Sequence, residues 1–263
     1  MYDFDLSRPK TVAEAVSALA VEEAQALGGG QTLIPTLKQR LASPSVLVSL
    51  GAVAELQEIF TDRSGSVTIG GAVTHAAVAA GVGSTYPALA DMAAHIGDPA
   101  VRNRGTLGGS LANNDPSACY PAAVLGSGAT VQTNSREIAA NDYFEGMFAT
   151  ALDEGEIITA VHFPCPDKAC YKKFVQPASR FALVGAFVWQ KGGDVRVAIT
   201  GASNDGVFRW AEAEAALASD FNAGALEGLS LDGSNMISDL HGTGAYRAHI
   251  AKVMTQRAVT DAH

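Results

Sequence analysis

The stretch Gly28-Gly29-Gly30-Gln31-Thr32-Leu33-Ile34-Pro35 lies between an apolar run, Ala24–Leu27, and an amphipathic segment that ends at Leu41. This order predicts a strand, a tight loop and the start of a helix. Glycine allows a positive φ and a close approach of the backbone to a ligand, and the start of a helix offers free amides to an anion. The stretch is compatible with an anion-binding loop and with an ordinary strand-to-helix turn. One glycine-rich loop alone does not distinguish these two structures.

Regular elements are predicted on both sides of this loop. Residues 46–50 form a second apolar run, which completes a strand–helix–strand unit. Before the loop, Thr11 and Glu14 match the capping box that begins an amphipathic helix. Further along the chain, residues 67–69 predict another strand, and Thr74 is the expected N-cap of the helix that follows.

The middle of the chain combines helical segments with a long irregular one. Residues 96–110 contain many glycines and polar residues, so we expect an extended functional loop there. Helices are predicted at residues 88–95 and 120–125. A hairpin is predicted from residues 129–133 and 136–139.

A domain boundary is expected near residue 168. Residues 156–163 alternate like a strand, and Pro164 and Pro166 follow it directly. Beyond the boundary, residues 181–190 and 195–200 predict an antiparallel hairpin. The last predicted helices span residues 210–217 and 241–257.

Composition restricts the class of protein. With 263 residues, 48% hydrophobic and 17% charged, the chain matches an ordinary globular protein. The net charge of −9 argues against a nucleic-acid partner. No secretory signal and no membrane-spanning stretch is evident, so we expect a cytoplasmic protein. The three cysteines are too few to ligate an all-cysteine iron–sulfur cluster within the chain.

A second glycine-rich stretch, Thr106-Leu107-Gly108-Gly109-Ser110, shares the character of the first. A glycine pair flanked by hydroxyl residues lets successive amides converge into a concavity that binds anions. Two such loops suit two linked phosphates better than one, so we expect a dinucleotide pyrophosphate. The basic cluster expected near them consists of Lys38, Arg40, Arg102 and Arg104.

The order of these motifs resembles the FAD-binding medium subunits of molybdenum hydroxylases, the family of xanthine dehydrogenase and carbon monoxide dehydrogenase. The matching segments, in chain order, are residues 28–35 with Lys38, Arg40 and Leu41, then 69–75, 96–103, 106–110, 114–116 and 241–247. The resemblance covers nearly the whole chain. It implies an α+β protein: an FAD-binding domain of the PCMH type at residues 1–168, in two α/β parts of about 1–57 and 58–168, and a C-terminal domain at 169–263 with an antiparallel sheet and helices.

The resemblance also implies a division of labour among subunits. This chain would hold FAD noncovalently and pass electrons to an external acceptor. The electrons would come from [2Fe–2S] clusters in a small subunit, and a large subunit with a molybdenum cofactor would oxidise the substrate. The expected assembly is a dimer of heterotrimers. The substrate, and whether the acceptor is NAD, a quinone, oxygen or a carrier protein, stay open.

Site residues are carried over by position. No catalytic side chain and no metal ligand is expected, and the residues implied in FAD binding are Leu27, Gly28, Gly29, Gly30, Gln31, Thr32, Leu33, Ile34, Ile96, Thr106, Leu107, Gly108, Gly109, Ser110, Asp115, Cys119, Ile158 and Lys173. Lys173 would stabilise the anionic reduced flavin. Ile96, Ile158 and Lys173 each have an ordinary structural role as an alternative.

Two departures from the family pattern, and two other functions, are left open. Cys119 stands where many relatives have an acidic residue, and its alternative role is that of a neutral packing cysteine. Arg180 replaces a common aspartate. One alternative function is a self-sufficient FAD oxidase, as in the vanillyl-alcohol oxidase group, although the chain offers no evident base. The other is a noncatalytic nucleotide-binding scaffold that has lost the flavin.

Overall fold

The computed structural model describes residues 1–263, and a three-stranded sheet forms the N-terminal part. Its strands are β1 (Asp5–Ser7), β2 (Ala24–Leu27) and β3 (Val46–Ser49), with helices α1 (Val12–Leu19) and α2 (Leu33–Lys38) in the connections. The strand order is β1-β3-β2, and both pairs are parallel. The predicted strand–helix–strand unit is therefore confirmed, and the carboxyl ends of the three strands share one edge.

A five-stranded antiparallel sheet follows, with most helices inserted between its strands. After two short 3-10 turns, the chain forms β4 (Ile59–Thr61), β5 (Val67–Gly70), α3 (His75–Gly81), α4 (Pro87–Ala94), α5 (Pro99–Arg102), α6 (Leu107–Asn113), α7 (Tyr120–Ser127), β6 (Thr130–Thr133), β7 (Glu137–Ala139), α8 (Ala140–Tyr143), the small hairpin β8 (Phe144–Gly146) and β9 (Ala149–Thr150), and β10 (Ile158–Phe163). The order in the sheet is β4-β5-β10-β6-β7. The predicted hairpin at residues 129–139 is confirmed as β6 and β7.

The C-terminal part is a four-stranded antiparallel meander covered by helices. Its elements are β11 (Lys168–Val175), β12 (Ala182–Lys191), β13 (Asp194–Ser203), β14 (Gly206–Arg209), α9 (Ala211–Ser219) and α10 (Gly244–Asp261). The strands pair in sequence order. The α+β class and the antiparallel C-terminal sheet with helices are thus confirmed.

Helix α7 connects the two larger sheets through one hydrophobic core. All eight of its residues are buried. A single cluster of 32 buried residues contains side chains of the second sheet, such as Val131 and Val161, and side chains of the third, such as Phe187 and Ala198. The core is therefore continuous across the predicted boundary at residues 168 and 169, and the domain limits stay a prediction.

Two details of the sequence prediction need correction. Residues 96–110 are not an extended loop, because α5 and the start of α6 lie within them. Asp98 caps α5, since its Oδ1 accepts a hydrogen bond from the Val101 amide at 2.9 Å, and Pro99 occupies the first helical turn. Helix α2 ends at Lys38 and not at Leu41, because Arg40 has a φ of +60°.

No helix is both long and apolar enough to cross a membrane.

Candidate functional site

The first glycine-rich loop lies at the edge where the three parallel strands end. It connects β2 to α2, and none of the backbone amides of residues 28–32 donates a hydrogen bond to a protein acceptor. Residues 28–30 are half-buried, and amides in such positions are normally paired, so these three need another partner. Residues 28–31 line an open cleft. The loop can therefore donate several hydrogen bonds to one anionic ligand.

Gly29 is where this loop touches the segment before α6. A Cβ atom on Gly29 would lie 1.9 Å from the carbonyl oxygen of Arg104 and 2.6 Å from the Cα of Gly105. Real Cβ contacts do not reach such distances, so only glycine permits this approach of two backbones. The next residue, Gly30, has a φ of +71°, which also favours glycine. The glycine run thus allows the two loops to touch, and it also contains amides that have no acceptor in the protein.

The second glycine-rich stretch uses its amides inside the protein. The Leu107 amide donates to Val73 O at 3.0 Å, the Gly108 amide to Gly71 O at 2.9 Å, and the Gly109 amide to the Thr106 Oγ1 at 3.1 Å. The expected concavity of free amides is therefore not present here. Thr106 keeps a free backbone amide and a free hydroxyl proton, and it lines the cleft. This stretch supplies one wall and a donor, as the N-cap of α6.

The cleft between the two loops is large and positively charged. Its volume is about 750 Å³, within the range of roughly 300–1,000 Å³ typical of ligand pockets. Among its 18 lining residues, Arg8, Lys38 and Arg104 are cationic and none is acidic. None of these three side chains forms an ion pair. In a chain of net charge −9, such a cleft selects anions.

The predicted basic cluster is only partly assembled. Lys38 and Arg104 line the cleft, but Arg40 lies over the Tyr2 ring, 5.5 Å from its centroid. Arg102 donates to the carbonyl oxygens of residues 96 and 97 at 3.1 and 3.0 Å. Arg8 also lines the cleft, although the sequence does not predict it. It directly follows β1, a three-residue strand whose carboxyl end meets those of β2 and β3 at one edge of the sheet.

The predicted site residues fall into three groups. Those that line the cleft are Leu27, Gly28, Gly29, Gly30, Gln31, Ile34 and Thr106. Those that adjoin it in the chain without lining it are Thr32, Leu33, Leu107, Gly108, Gly109 and Ser110. The remaining five neither line the cleft nor adjoin its loops in the chain, namely Ile96, Asp115, Cys119, Ile158 and Lys173, and Ile158 and Cys119 are buried.

Lys173 is the centre of a second group of contacts. Its Nζ donates to His95 O at 2.7 Å and to Arg180 O at 3.0 Å, and it lies 3.6 Å from the Cys119 Sγ. The structure thus brings Lys173 and Cys119 together beside the residue that precedes Ile96. Two of these partners are backbone carbonyls and the third is a thiol, so the ammonium charge has no carboxylate partner. This group can stabilise negative charge that develops on a ligand held next to it.

Asp115 belongs to neither group of contacts. Its Oδ1 accepts a hydrogen bond from the Ser117 amide at 2.8 Å. It lines a smaller cavity of about 230 Å³ together with Phe181 and Arg247. The guanidinium of Arg247 is buried and donates to Leu183 O and Gly201 O, each at 2.8 Å, so it attaches α10 to β12 and β13.

Comparison with known proteins identifies the family to which this chain belongs. Residues 2–166 match the family model described as "FAD binding domain in molybdopterin dehydrogenase", which is more than half of the chain. The chain is 33% identical to the nicotine 6-hydroxylase medium subunit of Paenarthrobacter nicotinovorans, over 97% of this chain and 95% of that one. It is equally 33% identical to the carbon monoxide dehydrogenase medium chain of Afipia carboxidovorans, with the same coverage.

Solved structures superpose on this chain over nearly its full length. The reconstituted carbon monoxide dehydrogenase from Oligotropha carboxidovorans superposes with a TM-score of 0.86 at 31% identity, over 98% of this chain and 97% of that one. Quinoline 2-oxidoreductase from Pseudomonas putida 86 gives 0.83 at 32% identity, over 98% and 96%. The chain therefore belongs to the FAD-binding medium subunits of the molybdenum hydroxylase family.

Proposed function

We propose that this chain is the electron-transfer subunit of a heteromeric molybdenum hydroxylase. It holds FAD noncovalently, receives electrons from the [2Fe–2S] clusters of a small partner subunit and passes them to an external acceptor. A large partner subunit with the molybdenum cofactor oxidises the substrate, and the complex is a dimer of heterotrimers. The family and the medium-subunit names of the relatives support this proposal.

One observation carries the FAD-binding part of the proposal. Four consecutive residues with free amides, 28–31, line a cleft that contains three unpaired cations and no carboxylate. Amides that converge on one point, with cations around them, suit a pyrophosphate far better than a neutral ligand. The glycine junction at Gly29 brings the Arg104–Gly105 backbone against the loop, and Arg104 is one of the three cations of the cleft.

The chain's residues would divide the cofactor between two places. The amides of residues 28–32, with the Thr106 hydroxyl, would bind the pyrophosphate. Lys173 would face the flavin ring, where its ammonium stabilises the negative charge of the reduced form. Two backbone carbonyls hold that ammonium in place. FAD, when bound, supplies the ability to exchange one or two electrons.

Flavin content of the purified chain tests the proposal. We expect a visible flavin spectrum without iron–sulfur absorbance, and chromatography of the released cofactor should identify FAD at about one per chain. The same measurement on the complex co-expressed with its partner subunits should add the cluster absorbance. If neither the isolated chain nor the complex takes up supplied FAD, the proposal is wrong.

The same preparations distinguish the two alternatives. Reduction of the FAD when the partner's clusters are reduced, but not when an organic substrate is added to the isolated chain, supports an electron-transfer subunit. Substrate turnover by the isolated chain would indicate a self-sufficient oxidase. A colourless chain that still assembles with the partners would indicate a scaffold.

A further inference from the structure

Two neighbouring lysines on β11 differ in whether a carboxylate compensates their charge. The Lys172 Nζ lies 2.6 Å from the Asp261 Oδ2. The hydrogen bond with Asp261, and to a smaller extent the charge of Asp91, raise the pKa of Lys172. Lys173 forms no ion pair. Successive side chains of a strand point to opposite faces of the sheet, so the partner of Lys172 is not within reach of Lys173.

Cys119 is the only side chain that accepts a hydrogen bond from the Lys173 ammonium, at 3.6 Å between Nζ and Sγ. The other two acceptors are the backbone carbonyl oxygens of His95 and Arg180, which carry no net charge. Cys119 is 5% exposed and directly precedes α7. A carboxylate at this position would lie next to the ammonium and neutralise it. The thiol therefore occupies a place from which a side chain could compensate Lys173.

The tyrosines near Cys119 add no negative charge either. Tyr120 and Tyr171 are buried, and their hydroxyl groups have no hydrogen-bond partner. Burial, with a smaller contribution from Cys119, raises the pKa of both tyrosines, so both stay protonated at neutral pH. Lys173 thus carries a charge that neither a carboxylate nor a phenolate compensates. Such a cation costs free energy, and negative charge that develops beside it lowers this cost.

We propose that Cys119 is a positioning residue that sets the reduction potential of the flavin through Lys173: it contacts the ammonium and leaves its charge available to the reduced ring. This inference rests on the proposed function, in which the flavin ring lies beside Lys173. A flavin that takes up two electrons and one proton becomes more negative by one charge, and the uncompensated ammonium stabilises that charge. A carboxylate in place of the thiol would remove this stabilisation and lower the potential.

The midpoint potential of FAD bound to the full chain tests the inference, measured by titration against redox dyes in an absorption cell. C119D places a carboxylate next to Lys173, and C119N has nearly the same shape without the charge. The difference between these two variants is therefore the effect of the charge. We expect the equilibrium constant for two-electron reduction to be at least tenfold smaller in C119D than in C119N, a shift of about 30 mV to lower potential.

Substitutions of the two lysines test whether the effect passes through Lys173. K173M should lower the potential by at least as much as C119D does. The matched control is K172M, because Asp261 already compensates that cation, and it should change the equilibrium constant by less than about threefold. C119D/K173M should have nearly the potential of K173M, because a buried carboxyl group without a cation is held in its neutral form. Circular dichroism establishes that each variant is folded.

The outcomes separate this inference from the proposed function. If FAD binds and C119D has the potential of C119N, or K173M that of wild type, the role of Cys119 is wrong and the FAD-binding function stands. An equal effect of C119D with and without Lys173 would mean that the charge acts directly on the flavin, which also contradicts the inference. Should C119D not fold, C119E and C119Q replace the pair. If neither the chain nor the complex binds FAD, both the inference and the proposed function are overturned.

Discussion

Gly29 is the single residue on which the junction of the two loops depends. In G29A the new methyl group would meet the Arg104 carbonyl oxygen at 1.9 Å, and that neighbour is backbone and cannot rotate away. The loops have to separate, so we expect a loss of about 1–3 kcal/mol in the free energy of unfolding and a marked loss of FAD affinity. Urea denaturation and FAD titration measure the two effects.

The control for this substitution is G193A. Gly193 lies in the turn between β12 and β13, and a Cβ there would meet nothing within 4 Å. We expect it to be nearly neutral in both measurements. Equal FAD affinity in G29A and G193A would contradict the assigned role of Gly29.

His75 gives the chain a stability that depends on pH. It begins α3 and is 4% exposed, and its Nδ1 has no partner. Burial, with a smaller contribution from Arg102, lowers the pKa of His75 to about 4, from 6.5. The unfolded chain therefore binds a proton between pH 6.5 and 4 that the folded chain excludes, so stability falls as the pH falls through this window. The loss is on the order of 3 kcal/mol.

Urea denaturation at several pH values between 7.5 and 4 checks this prediction. H75Q carries no titratable group, so its unfolding free energy should fall less steeply between pH 6.5 and 4, whatever its value at pH 7.5. The comparison of slopes removes any general cost of the substitution. Parallel curves for wild type and H75Q would show that His75 is not responsible.

Helix starts and hairpin turns are predicted well from the sequence, because they depend on residues only a few positions apart. Thr11 and Thr74 each cap a helix, with their Oγ1 atoms accepting from the amides of Glu14 and Ala77 at 3.2 Å. The β12–β13 hairpin closes with Lys191 opposite Asp194, as the turn residues indicate. Capping and turn geometry are set locally, so no tertiary information is needed.

Features that depend on contacts between residues distant in the chain cannot be predicted from local sequence. The amides of Leu107 and Gly108 donate to carbonyls of Val73 and Gly71, more than thirty residues earlier, which turns an apparent anion loop into the start of a packed helix. Lys173 meets the carbonyl of His95, 78 residues away. Family resemblance, and not local pattern, brought Lys173 into the prediction. Its role in flavin binding, like that of the other site residues, stays a prediction.

For the whole molecule, the question is how many parts unfold independently. Several hydrogen bonds cross the predicted boundary at residues 168 and 169. The Thr200 hydroxyl donates to Pro116 O or Ala118 O, at 2.9 and 2.8 Å, and the Gly201 amide donates to Pro116 O at 2.7 Å. Together with the continuous core around α7, these contacts couple the second and third sheets. The first sheet instead packs on a small cluster of only four buried residues, one of which, Ile157, directly precedes β10.

We therefore expect two unfolding units that do not follow the predicted domains. Hydrogen exchange measured by mass spectrometry in increasing urea should show β5 and β10 losing protection at the same midpoint as β12 and β13, because their core is shared. Strands β1 to β3 should exchange at lower urea, since less apolar surface holds them. Both tryptophans lie beyond residue 168, so their fluorescence supplies a second probe of the third sheet. If β10 and the tryptophans give separate midpoints, the two regions behave as the independent domains that the sequence predicts, and the shared core does not couple them.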